Sequence, residues 1–485
     1  MTATAPAAPG ARPQARATSA SRRLVLQRAL TLAIALLLWF APPPGSVTMQ
    51  AWHLFAIFFA TILSVVIGAF PLLTASVLAI AAAVLSGTLS AEAAYAGFSN
   101  PTIVLIVVAF LVARAVVKCG LGQRLGYRAI SLFGHSSLGL SYSIVLVDAV
   151  IAPAFPSNTA RSGVLFPLTS SIAEAAGAAP ERDDRRRLGK FLMFSGMLSL
   201  TLSSALWLTA MAGNPLGAAL SRPFGVEIGF GSWLMAASVP TVFCMALLPF
   251  VYYKMMRPEI TAMPNAPAEA RRALAELGPL TRDQKLVMAT FAGMVVLWGA
   301  AATLRIDPTA IAFLGLASLL GTGVLTPRDI AKEGDALATF IWFAALFTMS
   351  SQLNTLGFME FLGGRLVLHL GGLPMALAAV ALVVLYVLLH YFFVSQNAHL
   401  LALFVVFLGV GVKLGVPAAP LAFQLLFATN YFAALTPQAS SANLLFAGSG
   451  QLSQQELYRL GALHTALCTL IYLVVGTPWL LLVTR

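Results

Sequence analysis

Charge is what this sequence has least of: 9% of its 485 residues are Asp, Glu, Lys or Arg, where a soluble domain carries roughly a quarter. So small a polar complement cannot cover a water-facing surface, and most of the chain must face something apolar. Acids are scarcer than bases, 17 against 29, and none occurs before Glu92. Cysteine is nearly missing as well. Cys119, Cys244 and Cys468 stand apart, each in an apolar stretch, without CxxC or ligand spacing, which argues against a disulfide framework or a thiolate metal centre. Signatures of enzymes are missing too: no HExxH, no GxSxG and no paired acids on helices, so an enzyme is not expected.

What is present is hydrophobic residue, 59% of the chain. Apolar runs recur from Leu24 to Val483, many near the ~20 residues a helix needs to cross the hydrocarbon core. The expected spans are 24–42, 51–70, 71–90, 101–119, 190–212, 231–253, 285–303, 308–325, 337–356, 417–435 and 460–482, with a weakly amphipathic stretch at 120–135. Two further pairs of apolar arms, 137–155 with 160–176 and 374–393 with 398–415, are joined by the polar tips Pro156-Ser157-Asn158-Thr159 and Ser395-Gln396-Asn397. A net charge of +12 could suggest a nucleic-acid partner, but the basic residues sit in short loops, as topology determinants do. The expected partner is the lipid bilayer and not nucleic acid.

Three basic clusters orient the chain: the tail with Arg12, Arg16, Arg22 and Arg23, the loop Arg182 to Lys190, and the loop Lys254 to Lys285. The positive-inside rule assigns all three to the cytoplasm. An even number of crossings must then separate the first two, which holds if the first arm pair enters and leaves on one side. That pair becomes a re-entrant hairpin open to the cytoplasm, its tip sheltered by protein or a wet cavity. Crossings total about 11, with the N-terminus inside. The expected layout is a disordered tail (1–23), a first transmembrane helix (24–50), a first repeat (51–253, hairpin 137–176), a cytoplasmic linker (254–284) and a second repeat (285–485, hairpin 374–415). The tail composition also suits a transit peptide, so a bacterial inner membrane is expected, with an organelle inner envelope as the lesser alternative.

The repeat is read from residues in register. Phe110, Gly120, Leu125, Gly126 and Arg128 fall on Phe347, Gly357, Leu362, Gly363 and Arg365. At almost the same offset Ser157 falls on Ser395 and Ala160 on Ala398. Each unit holds an odd number of crossings, so the second sits upside down and opens its hairpin to the other side. Inverted repeats with interrupted helices are the architecture of secondary transporters, which hold substrate near the midplane. The fold class is therefore an all-α polytopic membrane protein, an inverted structural repeat with two re-entrant hairpins.

Polar side chains at bilayer depth are costly, which singles out Ser157, Asn158 and Thr159. Hydroxyls, amides and free N–H groups at a helix start can receive a carboxylate, and oxygens at the same breaks can coordinate Na⁺. The competing reading is that they only cap the second arm. Two more breaks, Gly213-Asn214-Pro215 and Thr436-Pro437, lie inside apolar spans, where proline frees a carbonyl; a plain kink is the alternative. Asn443 follows the second break and could be a loop residue only.

The strings PSNTAR, SQNAH, FTMSSQLNTLGF and TAMAGNP resemble those of the divalent anion:sodium symporter family. The likeness is to its branch of bacterial citrate/succinate or tartrate exchangers and the plastid 2-oxoglutarate/malate translocator, and it covers nearly the whole chain after about residue 50. It implies transport of small dicarboxylates or tricarboxylates (malate, succinate, 2-oxoglutarate, citrate, tartrate) bound by the two tips. It also implies an elevator movement and a homodimer. Ser157, Asn158 and Thr159 match the first SNT motif fully; in the second only Ser395 matches, with Gln396 in place of Asn and Asn397 in place of Thr. The changed tip weakens a Na⁺ site, favouring exchange over the alternative, a sodium-coupled symporter; Na⁺ near Asn158 and Gly213 remains the one cofactor to consider.

Arg161 and His399 each lie four residues past a tip serine. A bidentate guanidinium suits one end of a dicarboxylate and a protonated imidazole the other. The alternative is that Arg161 pairs with Asp148 on the first arm. The expected substrate contacts are thus Ser157, Asn158, Thr159, Arg161, Ser395, Gln396, Asn397 and His399, with Asn214, Pro215, Thr436 and Pro437 from the two breaks.

Overall fold

The computed structural model describes residues 14–175 and 186–484, apart from the side chains of 14–21, 175, 186 and 187. Residues 182–185 of the second basic loop lie outside them. Among the described residues the regular elements are all helices. Helix α1 (Gln14–Phe40) leads into α2 (Met49–Val66), α3 (Leu72–Leu85), the short α4 (Ala91–Tyr95), α5 (Pro101–Lys118) and α6 (Leu121–Phe133). The first hairpin is α7 (Ser137–Ile151) and α8 (Asn158–Ala175), followed by α9 (Arg186–Leu206), α10 (Gly213–Ser221), α11 (Phe230–Met256) and the linker helix α12 (Ala266–Glu276). The same succession then recurs: α13 (Arg282–Leu304), α14 (Pro308–Gly321), α15 (Pro327–Ala331), α16 (Gly334–Thr355) and α17 (Phe358–Leu370). The second hairpin is α18 (Met375–Leu389) and α19 (Gln396–Lys413), followed by α20 (Ala418–Tyr431), α21 (Ser441–Ala447), α22 (Gln454–Ile471) and α23 (Thr477–Val483).

Matched glycines have matched jobs. Gly120 and Gly357 start α6 and α17 with φ of +68° and +78°, a left-handed turn that a Cβ would strain. Gly126 and Gly363 let those helices lie on α8 and α19: a Cβ would meet Leu168 at 2.5 Å and Val410 at 3.3 Å. The register seen in the sequence is thus the register of two hairpins with their connecting helices.

Among the described residues, eleven helices are long and apolar enough to span a membrane, about the number expected, but the set differs. Hairpin arms Ser137–Ala154, Met375–Phe392 and Gln396–Lys413 are among them. Conversely, α3 and α14, at 14 residues each, rise only about 21 Å, short of a ~30 Å core. The expected spans 190–212 and 417–435 are interrupted: α9 stops at Leu206 and α20 at Tyr431. Helix α1 begins at Gln14, within the segment expected as a tail, where Ala, Arg and Gln favour helix.

The halves meet along α3, α5, α14 and α16. Gly97 donates from its N–H to Thr348 Oγ1 at 2.9 Å, and a Cβ there would come within 2.3 Å of the Ala344 carbonyl. Lys118 donates to the Val324 carbonyl (2.8 Å) and Asp329 (2.7 Å). The linker closes the first half from below. Its strand-like turn pairs with the start of the hairpin, Met263 N–H to the His135 carbonyl at 2.8 Å and Ser137 N–H to the Thr261 carbonyl at 3.1 Å. Arg124 on α6 adds a bond to the Gly278 carbonyl at 2.8 Å.

Candidate functional site

The leading arm of each hairpin ends early, and in the first hairpin proline is the reason. Pro153 and Pro156 cannot continue α7, so the chain passes through a tight turn and an extended residue before α8 starts at Asn158. In the second hairpin α18 gives way at His390, and α19 starts at Gln396. Ser157 Oγ accepts the Ala160 N–H at 3.2 Å, and Ser395 Oγ accepts the Ala398 N–H at 3.4 Å. Both serines are therefore N-caps, and capping leaves their hydroxyls at the cavity face.

The tips touch at equivalent residues: Asn158 Nδ2 donates to Gln396 Oε1 at 3.3 Å. This bond sits where the pseudo-twofold axis of the repeat must pass. The Gln396 amide is oriented by donating from Nε2 to the Thr429 carbonyl at 2.8 Å. The Asn158 amide is fixed from behind, its Oδ1 accepting from Arg161 Nη2 (2.7 Å) and Ser204 Oγ (2.6 Å). An amide so held turns its N–H₂ toward the opposing tip.

In front of the tips lies a cavity of about 420 Å³, within the range of small-molecule sites. Ser157, Asn158, Thr159, Ser395, Gln396 and Asn397 all line it. The starts of α8 and α19 thus bring two positive dipole ends to one space. Val65, Leu72 and Asp335 also line it. They belong to the ends of α2, α3 and α16 that lie on the side of the basic linker, so the cavity opens toward that side.

Arg161 and His399 do not line the cavity. Arg161 is fully buried behind the tip, where Nη2 also donates to the Leu200 carbonyl (3.1 Å) and Ser204 Oγ (2.5 Å), and Nε lies 3.7 Å from Asp148 Oδ1. The pairing reading is the one this geometry supports. Because α7 stops at Ile151, Asp148 lies in its last turn, close enough for Arg161 to span the gap. Asp148 also accepts from Ser203 Oγ at 2.5 Å. His399 is likewise fully buried, ringed by Tyr386, His390 and Phe393 at centroid distances of 4.3, 5.2 and 4.8 Å. Asn158 Oδ1, the oxygen that a Na⁺ near Asn158 and Gly213 could have used, accepts from the Arg161 guanidinium. Gly213 packs on Asn397, whose Oδ1 a Cβ would meet at 2.5 Å.

The two breaks are built alike. Asn214 Nδ2 donates to the carbonyls of Ser204 (2.9 Å) and Trp207 (3.2 Å). Asn443 Nδ2 donates to Ala433 (2.7 Å) and Thr436 (3.2 Å), the same sequence distances back. Each amide satisfies carbonyls released where its helix is interrupted. Asn430 Nδ2 joins the breaks by donating to Asn214 Oδ1 at 2.9 Å. Asn214, Pro215, Thr436 and Pro437 therefore shape the site from behind and are not among the residues lining the cavity. Sequence reading missed Ser440 and Ser441, which do line it. Ser441 Oγ lies 2.6 Å from Thr159 Oγ1; a serine pair just before an apolar turn was the available signal.

Two facing hairpins, two interrupted helices and a duplicated succession define an inverted-repeat membrane transporter. The chain belongs to the divalent anion:sodium symporter family, since the family model for the sodium:sulfate symporter transmembrane region matches residues 22–484. It is 38% identical to "Dicarboxylate transporter 1, chloroplastic" of Arabidopsis thaliana, over 93% of this chain and 81% of that one. It is 37% identical to the Spinacia oleracea protein of the same name, over 91% and 79%. Inner membrane protein YbhI of Escherichia coli (strain K12) is 32% identical over 93% and 96%. Among solved structures, the Alcanivorax borkumensis YdaH transporter shares the fold with a TM-score of 0.54 at 13% identity, covering 95% of this chain and 97% of that one. Neisseria gonorrhoeae MtrF does so at 0.57 and 11%, covering 94% of each.

Proposed function

We propose that this protein exchanges small dicarboxylate anions across the membrane, with tricarboxylates such as citrate as further candidates. The observation that carries this reading is the meeting of the two tips at Asn158 and Gln396. Around that bond, hydroxyls, amides and two helix starts converge on a single cavity. Donors of this kind suit a carboxylate at each end of a short molecule, and relatives named dicarboxylate transporters cover most of the chain. The reading calls for no chemical conversion of substrate.

Exchange without sodium is favoured by Arg161. Its guanidinium holds the Asn158, Leu200 and Ser204 oxygens that a cation behind the first tip would need. With its own charge balanced by Asp148, the guanidinium occupies that space permanently and leaves no site there for a sodium ion to load and release. The cavity as described corresponds to the state open to the cytoplasm. An elevator movement of the hairpins against α2, α3, α5 and α16, in a homodimer, completes the proposal on the strength of the family resemblance.

Proteoliposomes test it directly. Labelled malate should enter vesicles preloaded with dicarboxylate, not empty ones, at equal rates with and without Na⁺. Uptake into empty vesicles driven by an inward Na⁺ gradient would replace exchange by symport. Absence of dicarboxylate uptake in every arm would remove the substrate class.

A further inference from the structure

Far from the transport cavity, α1, α2 and α3 enclose a second space, about 570 Å³ in volume. Its walls are apolar and small, with Ala29, Ala35, Ile57, Ala60, Leu78 and Ala82 among them. On α1 it runs from Val25 to Ala35, which at 1.5 Å per residue is about 15 Å, the depth of one leaflet of a ~30 Å core. On α1 the groove begins at Val25, just past Arg22 and Arg23, while α3 enters it from Ala75 in its first turn and α2 from Ser64 in its last, so the groove belongs to the leaflet on the basic side of the protein.

Arg28 stands in its lower end. Nε donates to the Ala69 carbonyl at 3.3 Å, and the guanidinium lies 4.8 Å from the Phe70 ring centroid. These two contacts position the group and leave both Nη nitrogens without a protein partner among the described residues. No acid precedes Glu92 in the sequence, and among the described residues no carboxylate pairs with Arg28. A positioned, uncompensated cation beside a leaflet-long apolar groove is complementary to one class of molecule.

We infer that this groove binds an anionic phospholipid, one acyl chain lying between α1, α2 and α3 and the phosphate on the Nη groups of Arg28. Burying methylenes against the alanines provides binding to any phospholipid. The guanidinium adds the preference for negative headgroups, a bidentate fork matching phosphate oxygens. One basic residue at a membrane surface contributes a preference of about fivefold.

Native mass spectrometry of the full-length protein, released from detergent with equimolar phosphatidylglycerol and phosphatidylcholine of identical chains, reads this out. The wild type should retain phosphatidylglycerol about fivefold over phosphatidylcholine. Arg28→Gln should retain the two equally, Arg28→Lys should keep most of the preference, and Ala82→Phe, which fills the groove from its exposed side, should lower both. Equal retention by the wild type overturns the inference without recourse to any variant. So does an unchanged preference in Arg28→Gln, or an Ala82→Phe protein that keeps its lipid but loses a subunit, since the groove would then hold a second copy of the chain.

Discussion

At the scale of the residue, the instructive case is Arg161. A basic side chain one turn past a tip serine reads in sequence as a ligand for a carboxylate, and pairing with Asp148 along a straight helix reads as a long reach. The helix is not straight to its end: Pro153 and Pro156 stop α7 early, and the depth assumed from 1.5 Å per residue does not apply. Arg161 then serves the site through Asn158, which it orients. Removing one partner of a buried pair costs about 3–5 kcal/mol, so Arg161→Gln should lower the melting temperature and yield in detergent. Combining Arg161→Met with Asp148→Leu removes both charges and should recover stability. Uptake in the double variant should still show a raised KM, because Asn158 has lost its orienting donor. A double variant with wild-type KM would mean that Ser204 alone fixes the amide. Asn158→Ala, which removes the donor itself, should reduce labelled malate exchange at least tenfold, as loss of a buried hydrogen bond to a charged group does, and should also lower the melting temperature, because Arg161 and Ser204 lose their shared acceptor.

At the scale of the element, the interrupted helices show how much of the site was legible. Gly213-Asn214-Pro215 and Thr436-Pro437 mark the breaks in sequence, and the tips stand out because polar residues interrupt long apolar runs. The use of Asn214 and Asn443 as matching clasps was not legible, because their partners are backbone carbonyls, and carbonyls carry no sequence signal. Asn443 looked like a loop residue for that reason. Each clasp satisfies two buried carbonyls, and leaving such groups unpaired costs about 1–3 kcal/mol. Asn214→Ala and Asn443→Ala should both lower the melting temperature, the former more, because Asn214 also accepts from Asn430. Equal losses would indicate that the bridge between the breaks adds nothing to stability. Gly213→Ala separates folding from function at the same element. Its new Cβ would stand 2.5 Å from Asn397 Oδ1, so the side chain of Asn397 must move, and KM should rise with little change in melting.

At the scale of the whole molecule, the two halves form one framework through the seam between α5 and the start of the second repeat. Lys118 carries both of its close bonds across that seam, one to the Val324 carbonyl and one to Asp329. The Lys118 ammonium first, and Thr326 after it, hold the Asp329 carboxyl below the usual carboxylate range. A carboxyl depressed by folding stabilises the protein above its unfolded pKa, about 3.9, and that contribution is lost as pH falls through the lower folded value. The seam lies near water and its ion pair is exposed to screening, so the effect belongs to melting curves and not to transport rates. Comparing wild type with Lys118→Met in nanodiscs, the wild type should melt higher at pH 7, with the gap narrowing below about pH 4 and at high salt. A gap that stays constant across this range would assign the role of Lys118 to the Val324 carbonyl, a neutral acceptor whose bond does not titrate. Either result locates the force that keeps the framework closed while the hairpins, joined at Asn158 and Gln396, stay free to move against it.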